Sequence, residues 1–354
     1  MSASDNLQPL IGLEVHIQLK TESKLFCSCP VQADTPNTAL CPTCLGLPGS
    51  KPVVNKKAVE HALRLALALH CKINPESYFS RKTYFYPDMV RNYQITQYEY
   101  PLAQEGMLVV RGKKISIRRI QLEEDPGSLI HEGGIAHAQH VLIDYNRSGI
   151  PLVELVTDPV FTSAKEARDF LEALVVILEY VDVYDAKNFT LRVDTNVSLG
   201  KNPRVEIKNI TGFRAVEKAI EFEILRQKMA IDQGEKIVQE TRHYDADSGD
   251  SISLREKETE EDYGYMFDPD LPKMVCDEKK IALIKKNMPE LPQQRAERMM
   301  KQYQLSEYNA GIIASEKKMA DFFEEVVTKI DVDTTVKWMT GPLKKVLKIG
   351  RAHV

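Results

Sequence analysis

The chain has 354 residues, 43% of them hydrophobic and 28% charged, with a formal net charge of −4. That length accommodates two or three domains, and the composition excludes a disordered or low-complexity chain. No apolar run is long enough to span a bilayer, no apolar leader core follows Met1, and the charge is not that of a globally basic nucleic-acid binder; a cytoplasmic protein without membrane contact is expected. The charge is uneven: residues 273–354 hold 16 Lys/Arg against 11 Asp/Glu, leaving 31 against 40 before them. An acidic body with a mildly basic tail fits a metal-dependent site joined to a segment that meets an anion.

Residues 1–9 carry no pattern and read as loosely attached. From Ile11 to Gln18, apolar Ile11, Leu13, Val15 and Ile17 alternate with Gly12, Glu14, His16 and Gln18. Period two marks a half-buried strand, with a carboxylate and an imidazole two residues apart on its polar face. Such a face holds a metal, moves a proton or simply meets solvent. Cys27-Ser28-Cys29 and Cys41-Pro42-Thr43-Cys44 then form C-x-C…C-x-x-C with eleven residues between the pairs. Paired thiolates chelate from tight turns, so residues 27–44 read as a loop closed by structural zinc; disulfides are the alternative, which a reducing compartment disfavours. Cys71 and Cys276 stand alone as ordinary thiols.

A helix is expected over Lys56–His70 on its apolar periodicity. Arg81–Pro101 is dense in Tyr, Arg and Gln, a mixture that clamps nucleotides or stacks on RNA bases, or equally packs beneath a loop. Ile115–Leu122 reads as a strand running into Glu123-Glu124-Asp125-Pro126-Gly127, where the acids form a solvated turn or deliver oxygen ligands to Mg²⁺. Glu154 is a lone acid in the apolar strand Leu152–Val156 and needs a cation or donor beside it. Ser163–Glu166 is a capping box that opens a helix with Ala167, Phe170, Leu171, Leu174 and Leu178 at helical spacing.

Thr190–Leu199 repeats the alternation of the first strand, with Arg192, Asp194, Asn196 and Ser198 on its polar face; Arg204–Lys208 adds Arg204, Glu206 and Lys208. Polar faces of both signs across several strands point to a concave sheet lining a site, against a merely solvated sheet. A helix over 214–233 follows, then basic and aromatic clusters at Gln239–Arg242, Leu254–Glu258 and Asp262–Tyr265. Asp268–Pro272 reads as a rigid exit. Beyond it, Lys279–Asn287, Gln294–Gln302, Ser306–Ala314 and Lys317–Ile330 are short amphipathic segments, and the chain stops partway through what reads as another helix. The expected class is α+β: a mixed, largely antiparallel sheet forming a concave catalytic cradle with flanking helices and a zinc-binding loop over residues 1–272, then a small helical domain over 273–354, incomplete at its C-terminal end.

IGLEVHIQLKTESKLFCSCP, CPTCLGLPGSKPVVN, RKTYFYPD, QLEEDPGS, DYNRSGIPLVELVTDP, RVDTNVSL, VEIKNITGF, QETRHYD and DPDLP together resemble the GatB/GatE family from about residue 10 to about 345. The resemblance favours the GatB branch, since the GatE branch carries an inserted domain for which there is no room before residue 273. It implies ATP-dependent phosphorylation of the side-chain carboxylate of Glu-tRNA(Gln) or Asp-tRNA(Asn), followed by displacement of phosphate by ammonia. It implies a heterotrimer with GatC and the glutaminase GatA, and ATP, Mg²⁺ and structural Zn²⁺ as cofactors.

By the same resemblance the catalytic Mg²⁺ ligands are Glu14, His16, Glu124, Glu154 and Asp194, with Glu123 adjacent, and Cys27, Cys29, Cys41 and Cys44 hold the zinc. Arg192, Asn196, Lys208, Arg242, Arg255, Lys257 and Tyr86 are expected to meet phosphates, carboxylate or the tRNA end. Two departures stand out. Gly264 occupies the Arg of the family pattern DYRYFPEPDLP, so no anion-binding role carries over to that loop, and a further helical tail that reaches the tRNA body is expected to be missing. Two other readings remain: a zinc-stabilised tRNA-binding scaffold without chemistry, which needs no five such ligands on one face, and a stand-alone ligase, for which no P-loop is present.

Overall fold

The computed structural model describes residues 7–132, 138–245, 249–256 and 263–346. Strand β1 (Pro9–Gln18) follows the alternation expected of it: Ile11, Leu13, Val15 and Ile17 are essentially unexposed. A loop of 37 residues holds the four paired cysteines and ends at Asn55, whose side chain accepts hydrogen bonds from the backbone N–H of Lys57 and Ala58 and so caps α1 (Lys56–Ala68). Short strands β2 (Lys72–Ile73), β3 (Glu76–Ser77), β4 (Ser80–Thr83) and β5 (Tyr93–Thr96) precede the long hairpin of β6 (Ala103–Val110) and β7 (Lys113–Glu124). Then come β8 (Ser128–His131), β9 (Val141–Asp144), β10 (Pro151–Thr157) and helix α2 (Ala164–Tyr180). Ser163 Oγ accepts from Glu166 N at 3.3 Å, while the Glu166 carboxylate reaches one residue further back, to Thr162 N at 2.8 Å.

Strands β11 (Leu191–Leu199) and β12 (Val205–Thr211), helix α3 (Phe213–Asp232), and strands β13 (Glu240–Asp245), β14 (Asp250–Glu256), β15 (Gly264–Phe267) and β16 (Met274–Val275) complete the β-rich part. The main sheet has the order β14-β13-β12-β11-β1-β10-β7-β6-β2. Among the described residues only β12–β13 is a parallel pair, so the sheet is mixed and largely antiparallel as expected. Helix α3 packs on β11, β12 and β14, and α1 on β6 and β7. A smaller sheet, β15-β4-β5, lies along the edge of β7 beyond its pairing with β6: Leu122 N donates to Gln97 Oε1 at 2.9 Å and Ile95 N to Glu124 Oε1 at 3.0 Å.

Two bulges matter for function. Between Val156↔Arg119 and Thr157↔Ile117 the β10–β7 register shifts by one residue. The apolar positions of β7 therefore move from odd (Ile115, Ile117) to even (Ile120, Leu122), and the polar face beyond the bulge carries Arg119, Gln121 and Glu123. In β12 the register jumps from Ile207 to Ile210, leaving Lys208 and Asn209 opposite Asp194. Asn209 takes a left-handed conformation (φ 58°), and its freed N–H donates to Asp194 Oδ1 at 2.7 Å.

The chain divides into two compact units: residues 1–172 with 183–286, and residues 173–182 with 287–354. Helix α4 (Glu278–Lys286) belongs to the first. The second contains α5 (Pro292–Tyr303), α6 (Glu307–Ala314), α7 (Lys317–Val326) and α8 (Val332–Trp338), around a core of Met299, Ala310, Ile313, Phe323 and Met339. Tyr180 donates its hydroxyl to Ala314 O at 2.7 Å, and Arg295, 7% exposed, bridges Asp321 and Glu324. No helix among the described residues is long and apolar enough to cross a membrane.

Candidate functional site

The polar side of the main sheet is built by register. On β1, Glu14 lies opposite Asp194 of β11 and Val156 of β10; His16 lies opposite Arg192 and Glu154. Gln121 pairs with Glu154, Glu123 with Leu152, and Glu206 with Asn196. Side chains directly opposite one another on a sheet face stand within interaction range. Five strands thereby deliver two adjoining groups, each with ligand atoms within 4.8 Å of one another: His16, Glu123 and Glu154, and Glu14, Asp194 and Glu206.

Around the first group, His16 Nε2 lies 3.7 Å from Glu123 Oε1 and 4.0 Å from Glu154 Oε2. Thr96 donates to Glu123 at 3.2 Å, Gln121 to Glu154 at 3.1 Å, and the Arg119 guanidinium stands 3.7 Å from Glu154. In the second group Lys208 Nζ sits 3.2 Å from Asp194 and 3.7 Å from Glu206, Thr241 donates to Glu206 at 3.2 Å, and Asn196 donates to Glu14 at 3.2 Å. Burial and the neighbouring Glu154, Glu206 and Asp194 push the Glu14 carboxyl up. Burial and Glu154 do the same to Glu123. Against the same burial, His16, Arg119 and Lys82 keep Glu154 low, and Lys208 with His16 keeps Asp194 low. Five buried or half-buried carboxylates with so few cations between them form a face short of positive charge. Oxygen donors with one imidazole suit a divalent cation such as Mg²⁺ or Mn²⁺.

Several expected residues fall elsewhere. Glu124 is not on this face: beyond the β7 bulge the alternation sends it the other way, to the buried guanidinium of Arg91 and the N–H of Ile95. Arg242 is also turned away. Its guanidinium donates to Ser251 Oγ at 2.8 Å, Ser251 O at 2.7 Å and Glu240 Oε1 at 2.9 Å, and lies 4.0 Å from Glu223 of α3. Arg192 donates to Asp125 Oδ1 at 2.6 Å, and Gln18 binds the other oxygen of that carboxylate at 2.6 Å. Tyr86 is exposed in the loop after β4. Arg255 lies in β14 opposite Thr241, and Lys257 falls outside the described residues. Glu206 joins the site although the sequence pattern places it only on an outward face; its shared face with Lys208 is the available signal.

The four-cysteine loop forms a separate centre. The sulfurs of Cys27, Cys29, Cys41 and Cys44 all lie within 4.8 Å of one another, near the ~3.8 Å edge of a tetrahedron with ~2.3 Å zinc–sulfur bonds. Cys44 Sγ accepts from Cys41 N at 3.1 Å, and the Cys27 thiol hydrogen-bonded to it pulls the Cys44 thiol down toward the thiolate. Lys24, fully buried, donates to Ala39 O at 2.9 Å. Asn146 Oδ1 accepts from Ala39 N at 2.8 Å, and Asp144 Oδ1 from Asn37 N at 2.9 Å, which ties the loop to residues 144–146. All four donors are soft thiols, which suits Zn²⁺ in a closed structural site.

Residues 9–282 match the family model described as the GatB/GatE catalytic domain. The chain is 51% identical over 329 residues to the B subunit of the aspartyl/glutamyl-tRNA(Asn/Gln) amidotransferase of Methanoregula boonei, covering 90% of this chain and 67% of that protein. It is 46% identical over 339 residues to the corresponding protein of Thermotoga petrophila, covering 92% and 70%. With the protein of the same name from Methanosarcina mazei it shares 47% identity over 342 residues, covering 94% and 69%.

Proposed function

Because the chain belongs to the GatB/GatE catalytic-domain family, we propose that its acidic sheet face carries out the phosphoryl-transfer half of tRNA-dependent amidation. Its role is the one its relatives are named for, as part of an aspartyl/glutamyl-tRNA(Asn/Gln) amidotransferase, a ligase of protein biosynthesis. The observation that supports the site is the convergence of His16, Glu123 and Glu154 with Glu14, Asp194 and Glu206 on one sheet face. A binding scaffold has no use for this uncompensated charge, which costs stability.

In the proposed reaction an oxygen of the tRNA-borne carboxylate attacks the γ-phosphorus of ATP, the bond to the β-phosphate oxygen breaks, and ADP leaves. Ammonia then attacks the acyl carbon, phosphate departs with the C–O electron pair, and a proton is lost to give the amide. Both reactants of the first step are anions, so divalent metal held by His16, Glu123 and Glu154, or by Glu14, Asp194 and Glu206, would supply charge neutralisation and alignment. Lys208, whose ammonium is held protonated above all by Asp194, offsets one of the three negative charges of the second group and keeps the Asp194 carboxylate ionised. Asn196 orients Glu14, Gln121 orients Glu154, and Arg192 with Gln18 fixes Asp125 at the end of β7. A subunit implies companions; we assign these to the glutaminase GatA and to GatC, with ammonia arriving from GatA.

The test is Asp194→Ala in the assembled complex with misacylated tRNA, ATP and glutamine. Amidated tRNA should fall at least about 100-fold, the scale of losing one preorganised electrostatic contact, while glutamine hydrolysis by the partner persists. Near wild-type amidation by this variant would overturn the site.

A further inference from the structure

The four-cysteine loop and the carboxylate face are joined through one buried side chain. Arg91 enters from the loop between β4 and β5, with its side chain only 6% exposed. Its guanidinium pairs with Glu124, whose carboxylate also accepts from Ile95 N at 3.0 Å, while Gln94 donates to the Glu124 carbonyl at 2.8 Å. Glu124 is the last residue of β7 and the direct neighbour of Glu123, which faces His16 and Glu154.

The other end of Arg91 rests on the cysteine loop. Gly46, two residues after Cys44, lies so close that a Cβ there would stand 2.0 Å from Arg91 Cγ and 2.7 Å from Cδ; its φ of +64° also favours glycine. Thr43 O lies 3.5 Å from Arg91 Nη1. Gly46, just past the Cys41–Cys44 turn, therefore seats the stem of Arg91, Thr43 O meets its head, and that head pins the strand end that presents Glu123.

A buried arginine whose Nε has no hydrogen-bond partner is a costly feature, and simple packing would be better served by an apolar side chain. We propose that Arg91 is a positioning residue through which the order of the four-cysteine loop sets the geometry of the carboxylate face. The proposal rests on the metal-binding reading of that face. It makes the loop a determinant of divalent-ion affinity as well as of stability: when the loop loosens, Arg91 loses its seat, Glu124 its partner, and Glu123 its orientation.

The experiment measures Mn²⁺ affinity of the full chain by electron paramagnetic resonance, without nucleotide or tRNA, for wild type, Arg91→Met, Arg91→Lys and Gly46→Ala. Zinc content and thermal unfolding are recorded for each. Arg91→Met should weaken Mn²⁺ binding about tenfold, the usual effect of losing a residue that orients a ligand, while keeping its zinc. Arg91→Lys, which keeps the charge, should recover part of that loss, and Gly46→Ala should weaken binding in the same direction. Zinc removal from wild type should reproduce the loss, whereas zinc removal from Arg91→Met should add nothing, because the link is already cut. Unchanged affinity in both Arg91→Met and Gly46→Ala overturns the proposal, as does simple additivity with zinc removal. Absence of Mn²⁺ binding by folded wild-type chain overturns the metal-face reading itself, and this proposal with it.

Discussion

Glu14 and Asp194 lie directly opposite one another on antiparallel strands, two acids paired across one ladder on a largely buried face. Like charges in that relation repel, and here the arrangement is held by Lys208 and by the backbone N–H that the β12 bulge releases. One ammonium does not offset three carboxylates, so repulsion remains that a bound divalent ion would relieve. Glu14→Gln should raise Tm by about 1–3 °C in EDTA, since it removes one of the repelling charges, worth up to about 1 kcal/mol. Added Mg²⁺ should raise the Tm of wild type more than that of the variant. Calorimetry with and without the ion checks both; a variant less stable than wild type in EDTA would show that Glu14 is not under repulsion.

The cysteine centre predicts one zinc per chain. Cys29→Ser or Cys41→Ser should abolish stoichiometric zinc, measured by elemental analysis of protein purified under reducing conditions. With zinc buffered at about 1,000 times its Kd, binding adds about 4 kcal/mol to stability, so chelation should lower the unfolding midpoint substantially. Wild-type protein that holds no zinc, or keeps its midpoint on chelation, would contradict the assignment.

Buried His61 of α1 gives a stability signature unrelated to catalysis. Its side chain is 3% exposed, Nδ1 has no hydrogen-bond partner, and burial, with Lys57 and Arg64 nearby, pulls its pKa from the ordinary 6.5 down to about 4. Above pH 6.5 neither state carries the proton. Between 6.5 and 4 the unfolded chain binds it and the folded chain does not, so stability is lost as pH falls through that window and stays level below it. The loss is at most about 3–4 kcal/mol, from about 1.4 kcal/mol for each tenfold change in proton affinity. His61→Leu should flatten this part of the acid limb in urea titrations; an unchanged limb would place the protonation elsewhere.

Much of this site is legible from alternation, and the exceptions have particular causes. β1 and β11 announce their polar faces because one side of each is fully buried, which fixes register. Glu123 and Glu124 cannot both face the site, since successive strand residues point oppositely. Which one does is decided by the bulge at Arg118–Arg119, and the shift of apolar residues from Ile115 and Ile117 to Ile120 and Leu122 is its visible trace. The β12 bulge leaves no such trace, because the alternation that marks the strand stops at Lys208. Helix α3 and the paired cysteines follow local rules of spacing; the seating of Arg91 on Gly46 joins residues 45 apart and has no local signature.

Arg242 shows the converse, a residue whose type suggests a substrate contact and whose strand face denies it. In β13, Thr241 reaches Glu206 on the acidic face, so Arg242 must turn toward α3, where Glu223, Glu240 and Ser251 receive it. Glu223 is fully buried and is shared with Arg226 and Gln227, so this is an interior network and not an open phosphate cradle. Removing one partner from a buried ion pair leaves the other charges uncompensated, at about 3–5 kcal/mol. Arg242→Met should therefore shift the urea midpoint strongly while leaving KM for ATP and for misacylated tRNA within about twofold in protein that remains folded, because a group that meets neither substrate contributes nothing to binding. Lys208→Met should differ in kind: by the same rule it costs stability, because Asp194 and Glu206 lose their cation, but it also brings a large fall in amidation that Arg242→Met does not. If Arg242→Met instead raises KM tenfold or more at unchanged stability, the side chain reaches the substrate after all, and the face on which β13 presents it has been misassigned.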